Sequence, residues 1–252
     1  MKIPFILLAA LFAAAGPATA QDAKPETKGR LGCIYAAAGK VELRQAGKTD
    51  WLLSPKGRAI AQGDAIRTAG GAWCEILLKE GSFIKLEENS EMTAETLVAA
   101  AERREFSFSF LKGKALWMAM KLGNKINSAF SVRTPSAVCA VRGTAFSLLV
   151  STSGETAVGL FEGAVALTGD AGEKTLLPGQ EAAAGIGKLE TKDRLSGLML
   201  AEERRYRRIK KRVEDLRARL AAREDFIDDF VNRRQKAVAD LEKRQQEKLK
   251  KR

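Results

Sequence analysis

Every proline and every glycine of this 252-residue chain lies before residue 198, and the apolar pattern changes period at the same place. Upstream, apolar residues come in short runs that alternate with polar ones and are punctuated by turn formers. Downstream they recur at spacings of four and three with no breaker. The first pattern belongs to half-buried strands joined by tight turns, the second to a long amphipathic helix. A chain divided this way is expected to fold as an all-β region followed by a helical arm, and 45% hydrophobic content suffices for a core.

Within the β-region, Val41, Leu43 and Trp51 to Leu53 predict short strands, with turns at Gly47-Lys48 and Ser54 to Gly57. Ile60 to Ile66 reads as strand, turn, strand around Gly63-Asp64. From Trp73 to Lys79 the chain alternates, with Cys74, Ile76 and Leu78 on one face and Trp73, Glu75, Leu77 and Lys79 on the other. Glu80-Gly81-Ser82 then reverses it into Phe83 to Leu86, a hairpin. Residues 87–104 stay open between strand and short helix, since Ala99-Ala100-Ala101 favours helix while Met92, Ala94 and Thr96 alternate. Phe106, Phe108 and Phe110 share one strand face and are read first as core against an opposite sheet, and second as an exposed aromatic platform for a ligand.

The stretch from Val132 to Gly163 holds two β-branched, apolar runs around a turn at Ser151, Ser153 and Gly154. Its order of Thr134-Pro135, Val141-Arg142-Gly143-Thr144, Phe146, Val158, Glu162-Gly163 and Val165, followed by Leu177-Pro178-Gly179-Gln180, resembles the FecR domain family. Gly63-Asp64, Ile66, Thr68, the run Ile76 to Leu78 and Gly81-Ser82 are similar to that family's first half. The resemblance covers residues 35–187. It implies an extracytoplasmic all-β domain, here either a two-sheet β-sandwich or a short β-solenoid with an internal pseudo-repeat. Gly63, Asp64, Thr134, Pro135, Arg142, Gly143, Thr144, Glu162, Gly163 and Gly179 are then structural motif positions.

The pseudo-repeat is visible in Ile66-Arg67-Thr68 before Ala72, Cys74 and Ile76, echoed by Val132-Arg133-Thr134 before Ala137, Cys139 and Val141. Related halves would bring Cys74 and Cys139 together. They are candidates for a disulfide if their Cα atoms lie within about 7 Å, and otherwise for two buried thiols. The third cysteine, Cys33, leaves an odd count.

Residues 1–20 have the layout of a secretory signal peptide: Lys2, an apolar run from Ile3 to Ala15, and a small-residue Ala18-Thr19-Ala20 ending. The apolar run falls short of the roughly 20 residues needed to span a bilayer. The mature chain is expected to be periplasmic, without a transmembrane span, and to begin with a flexible leader over 21–34. No histidine occurs anywhere, which removes the commonest proton shuttle and zinc ligand; neither a metal nor a cofactor is expected.

The arm, residues 188–252, carries 22 basic against 13 acidic residues, a net +9 of the chain's +12. Its seam runs through Leu195, Met199, Tyr206, Ile209, Val213, Leu216, Leu220, Ile227, Phe230, Ala237 and Leu241, interrupted by Glu202, Arg223 and Arg234. One helix of about 55 residues would reach roughly 80 Å. As a coiled coil it would make the protein a homo-oligomer through residues 195–241. Arg204, Arg205, Arg207, Arg208, Lys210, Lys211 and Arg212 are candidate contacts for an anionic envelope polymer or lipid head groups rather than nucleic acid.

Characterised relatives of the resembled family are sensors in cell-surface signalling, with a cytoplasmic tail that controls a sigma factor and a membrane helix. Read as beginning with a signal peptide, this chain is expected to depart from that plan. The resemblance, with that departure, therefore points first to a non-enzymatic periplasmic binding or scaffold protein with an envelope protein or polymer as partner, and second to a relay in envelope signal transduction. A hydrolase would have to use Glu87, Glu88 and Glu91, the one local acidic cluster of the β-region.

Overall fold

The computed structural model describes residues 30–54, 56–100, 103–121 and 127–250. The expected signal peptide and most of the leader lie outside the described residues. Eight strands come first: β1 (Gly32–Ala38), β2 (Val41–Arg44), β3 (Leu52–Leu53), β4 (Ala59–Ile60), β5 (Ala65–Thr68), β6 (Trp73–Leu78), β7 (Phe83–Leu86) and β8 (Glu91–Ala99). The long β9 (Arg103–Met118) follows. After it come β10 (Asn127–Arg133), β11 (Ala137–Val141), β12 (Ala145–Val150), β13 (Thr156–Glu162), β14 (Val165–Gly169), β15 (Gly172–Leu176), β16 (Glu181–Gly185) and β17 (Lys188–Lys192). Two helices close the chain, α1 (Gly197–Ala222) and α2 (Phe226–Lys250).

All the strands belong to one hydrogen-bonded network. It folds into two sheets because β9 runs through both. Residues 103–112 of β9 pair with β8 and, in parallel, with β10, whereas Ala115 to Met118 pair with β7 and β12. An outer sheet thus runs β3-β2-β5-β8-β9-β10-β11-β14-β15. A middle sheet runs β4-β1-β6-β7-β9-β12-β13-β16-β17. At the crossing, Gly113 has φ +97, and a Cβ there would lie 2.5 Å from the Ser90 Cα, so only glycine fits.

The main core lies between the sheets. Phe106, Phe108 and Phe110 from one part of β9 meet Trp117 from the other, with Phe130 and Phe146. Trp117 stacks on Phe146 at 6.2 Å and meets Phe110 edge-on at 6.1 Å, geometries that add to simple area burial. The three phenylalanines are core, as their spacing predicts.

The two sheets differ in pattern. In the outer sheet the residues alternate: Ala137, Cys139 and Val141 of β11 are buried while Val138 and Ala140 face solvent. The middle sheet is buried almost continuously through β6, β7, the end of β9 and β12. Its second face is covered by the arm. Tyr206 and Val213 of α1 pack on Phe83, Leu116, Met118, Ala145 and Phe161. Leu216 joins Phe226, Ile227 and Val231 of α2 on Cys33 and Leu77. Each large side chain fully buried this way is worth about 1.5–3 kcal/mol.

The single long helix or coiled coil read from the seam is therefore corrected. The arm is two helices, broken at Arg223, which takes an extended conformation with φ −144 and ψ 107. Neither glycine nor proline forces the break. The turn instead lets Phe226 and Ile227 drop onto β1 and β6, and Arg223 bridges it by pairing with Asp225 and Asp229 at 3.2 and 3.0 Å. The seam is used on the chain's own middle sheet.

Two further expectations change. Strand structure runs from Gly32 to Lys192, so β1 begins inside the expected leader, and residues 91–99 resolve as strand. The internal echo is also displaced by one strand. Thr68 leads from the outer to the middle sheet, whereas Thr134 ends β10 within the outer sheet. The repeated unit is β5 to β8 and β11 to β14: in each, an outer-sheet strand, a middle-sheet hairpin, and a return strand that pairs with the first. The matching threonines are Thr68, bonded to the Glu87 carbonyl at 2.5 Å, and Thr144, bonded to the Ala164 carbonyl at 3.1 Å. Each ties down the turn before the return strand.

Candidate functional site: the arm on the middle sheet

The docked arm is held by charges as well as by apolar contact. Glu75 is buried in β6 on the helix-facing side, where Arg212 reaches it with two nitrogens at 2.7 and 2.6 Å and Lys85 adds a third contact at 3.5 Å. Hydrogen bonding to Glu75 raises the Arg212 pKa further. Glu202, which looks like a defect in the apolar seam, is buried against Lys114 of β9 at 2.8 Å. Arg205 spans Glu202 and Glu87 at 3.3 and 2.7 Å.

Arg217 donates to the carbonyls of Gly81 and Met118, both at 2.9 Å, so α1 is bonded to the β6–β7 turn and to the end of β9 at once. Burial lowers its pKa. At the start of α1, Ser196 caps the helix, and its own N–H donates to Glu181 at 2.6 Å. Glu162 pairs with Lys210 beside Tyr206. Burial, and then the Glu162 hydrogen bond, push the Tyr206 hydroxyl up to about 12.

This geometry splits the basic run of the arm. Arg205, Lys210 and Arg212 turn inward to carboxylates of the β-domain, and Arg207 pairs along the helix with Glu203 at 2.7 Å. Arg204, Arg208 and Lys211 lie exposed on the opposite face, at spacings of four and three, and have no ion pair among the described residues. They form one outward stripe.

The motif positions shared with the resembled family sit at turns. Asp64 is buried and accepts from the N–H groups of Ala46 and Ala61 at 3.0 and 2.9 Å, tying two loops together. Gly63 has φ +85 beside Ala46. Thr134, Thr156 and Ser136 form a hydroxyl chain with links of 2.7 and 2.8 Å, and Pro135 packs by Gly154. Gly143 and Gly163 both have positive φ, and a Cβ on Gly163 would sit 2.5 Å from the Gly143 carbonyl oxygen, so the two turns meet with no room for a side chain. The backbone N–H of Arg142 donates to Thr144, and that of Gly179 to the Leu160 carbonyl. Among these positions, Glu162 reaches the arm through Lys210.

Cys74 and Cys139 are free, buried thiols in different sheets, and no bridge joins them; Cys33 is free as well. Burial pushes all three to about 12. The acidic cluster considered for hydrolysis is engaged elsewhere. Glu87 pairs with Arg205, Glu88 accepts from the Gly71 N–H at 2.6 Å, and Glu91 lies 3.6 Å from Lys112. Among the described residues no group of three His, Cys, Asp or Glu side chains is placed to hold a metal. Nor is any described helix long and apolar enough to cross a membrane.

Glu75, Lys114 and Arg217 were not singled out by sequence reasoning. The available signal was a charge inside an apolar run, as in Trp73-Cys74-Glu75-Ile76, matched by another charge on a helical seam.

Residues 64–166 match the family model described as FecR protein. The chain carries a FecR domain. No curated protein matches it. Two crystal structures, at 1.65 and 2.50 Å, of a "putative anti-sigma factor from Parabacteroides distasonis ATCC 8503" are similar, each at 21% identity with a TM-score of 0.44. The match covers 52% of this chain and 59% of that one, so this chain spans well under two thirds of that protein's length.

Proposed function

We propose that this FecR-domain protein is a non-enzymatic component of cell-envelope signal transduction, working in the periplasm. The family match over residues 64–166 carries the reading, because members of that family relay a receptor state across the envelope. The arm suits a relay. It covers β1, β6, β7, β9, β12 and β13 on one side through both apolar contacts and ion pairs, so a partner that competes for Glu75, Glu162 or Glu202 has a defined target. In this view the outer sheet, which alternates and leaves one face to solvent, receives the partner, and the docked arm transmits or withholds the signal.

A second reading has one specific support. The outward stripe of Arg204, Arg208 and Lys211 suits an anionic polymer or lipid head group, which would make the protein an envelope-bound scaffold.

Cross-linking in intact cells followed by purification from solubilised envelopes separates the two. Reproducible recovery of an outer-membrane receptor or an inner-membrane regulator, lost when the family-matched domain is deleted, supports the relay. Recovery of wall or lipid material alone excludes it in favour of the scaffold.

A further inference from the structure

A cavity of about 280 Å³ opens between β3 and the second half of α2, away from the arm's contacts with β6, β7 and β9. Its walls are apolar. Leu52 and Leu53, the two residues of β3, are 57% and 71% exposed, and Val238 on α2 is 40% exposed. The helix can lie this close to the β3–β4 turn because of Gly57, which has φ +89 and whose missing side chain would collide with the Cβ and Cγ of Arg234.

Two polar features break the apolar lining. The hydroxyl of Ser54, a residue only 6% exposed, lines the cavity and has no hydrogen-bond partner. Around the same cavity stand Lys56, Arg58 and Arg234, and among the described residues no carboxylate pairs with any of them.

Apolar walls and three cations that no carboxylate neutralises together fit a ligand with a hydrocarbon body and an anionic head. We infer that this cavity binds an amphiphilic carboxylate of medium chain length. Its size is at the small end of ligand cavities, which run to roughly 300–1,000 Å³, and so selects a single short chain over a whole phospholipid. The hydrocarbon lies along Leu52, Leu53 and Val238, and the carboxylate is held by Lys56, Arg58 and Arg234. This site does not depend on the signalling reading.

Calorimetric titration of the purified full chain with decanoate, decanol and decylamine, each below its micellar concentration, tests the inference. The expected result is one decanoate per chain, bound about tenfold or more tighter than either analogue, which is at least 1.4 kcal/mol. Arg58→Gln with Arg234→Gln should remove that preference, and Leu53→Asp, at an exposed position that leaves the fold intact by circular dichroism, should weaken decanoate binding at least as much. Equal affinity for all three compounds, absence of decanoate binding, or undiminished binding in Leu53→Asp overturns it.

Discussion

Arg212 of α1 holds Glu75 of β6 through two hydrogen bonds, at 2.7 and 2.6 Å, and so joins the arm to the centre of the middle sheet. Glu75 is buried while Arg212 is half exposed, which makes the pair asymmetric. Arg212→Ala strands a buried carboxylate that Lys85 only partly compensates, and is expected to cost about 2 kcal/mol. Glu75→Gln should cost little more once Arg212 is gone. A urea double-mutant cycle with coupling below about 0.5 kcal/mol would show that the pair is incidental.

The two faces of α1 should respond differently to charge reversal. Substituting Arg204, Arg208 and Lys211 together by Glu is expected to change stability by no more than about 0.5 kcal/mol, because those residues touch no acidic partner. The same change at Arg205, Lys210 and Arg212 sets Glu against Glu87, Glu162 and Glu75 and should undock the arm. Thermal melts of the two triple variants decide the matter, and equal melting temperatures refute the assignment of faces.

Glu80, in the β6–β7 turn, has both carboxylate oxygens sealed from solvent. Burial raises it to about 7, with the Ser82 hydroxyl, the local backbone and Arg104 pulling the other way. A carboxyl raised on folding holds its proton longer in the native than in the unfolded state. Its contribution is thus complete below the unfolded value of about 4.3 and is lost as pH climbs towards 7. Stability should fall by about 1–3 kcal/mol between pH 5 and 7.5, and Glu80→Gln should flatten that slope. A wild-type profile as flat as the variant's would mean that Glu80 titrates normally.

Thiols at about 12 are almost wholly protonated near neutrality, and here they are also enclosed. Native protein is expected to react with a disulfide reagent at no measurable rate over minutes, and urea-unfolded protein to release three equivalents. One equivalent after unfolding would reveal a bridge.

Because the seam of the arm is used within the chain, the full protein should sediment as a monomer. Removing residues 193–252 bares Leu77, Phe83, Leu116 and Phe161, all buried in the intact chain, and should produce aggregates. A truncated form that stays monomeric would contradict the three-layer packing.

Much of this fold was legible in the residues, and the failures have a common cause. Phe106, Phe108 and Phe110 announced a one-faced strand, because period-two alternation survives wherever one sheet face is wet; Cys74, Ile76 and Leu78 do form an inward row, but the residues between them are buried too. In the middle sheet, Glu75 and Leu77 faced a helix that begins more than a hundred residues later, and no local pattern encodes that cover. Glu202 read as a flaw in a coiled-coil seam because its partner, Lys114, is on β9. Thr134 mimicked Thr68 in sequence, yet the pairing of whole strands, set over long distances, gave the role to Thr144. The basic run is plain in the sequence as a run, but only the docking of α1 separates its inward from its outward members.

Along the last residues of β9, Leu116 and Met118 point to the arm while Trp117 between them points into the aromatic core. A single strand thereby makes the packing under the arm and the packing between the sheets into neighbours one residue apart. Any loosening of α1 removes the support on both sides of Trp117, so the indole serves as an optical gauge of whether the arm is seated. Once Trp51 and Trp73 are replaced by Phe, the fluorescence of this one side chain becomes a reporter for the motion that a relay would require.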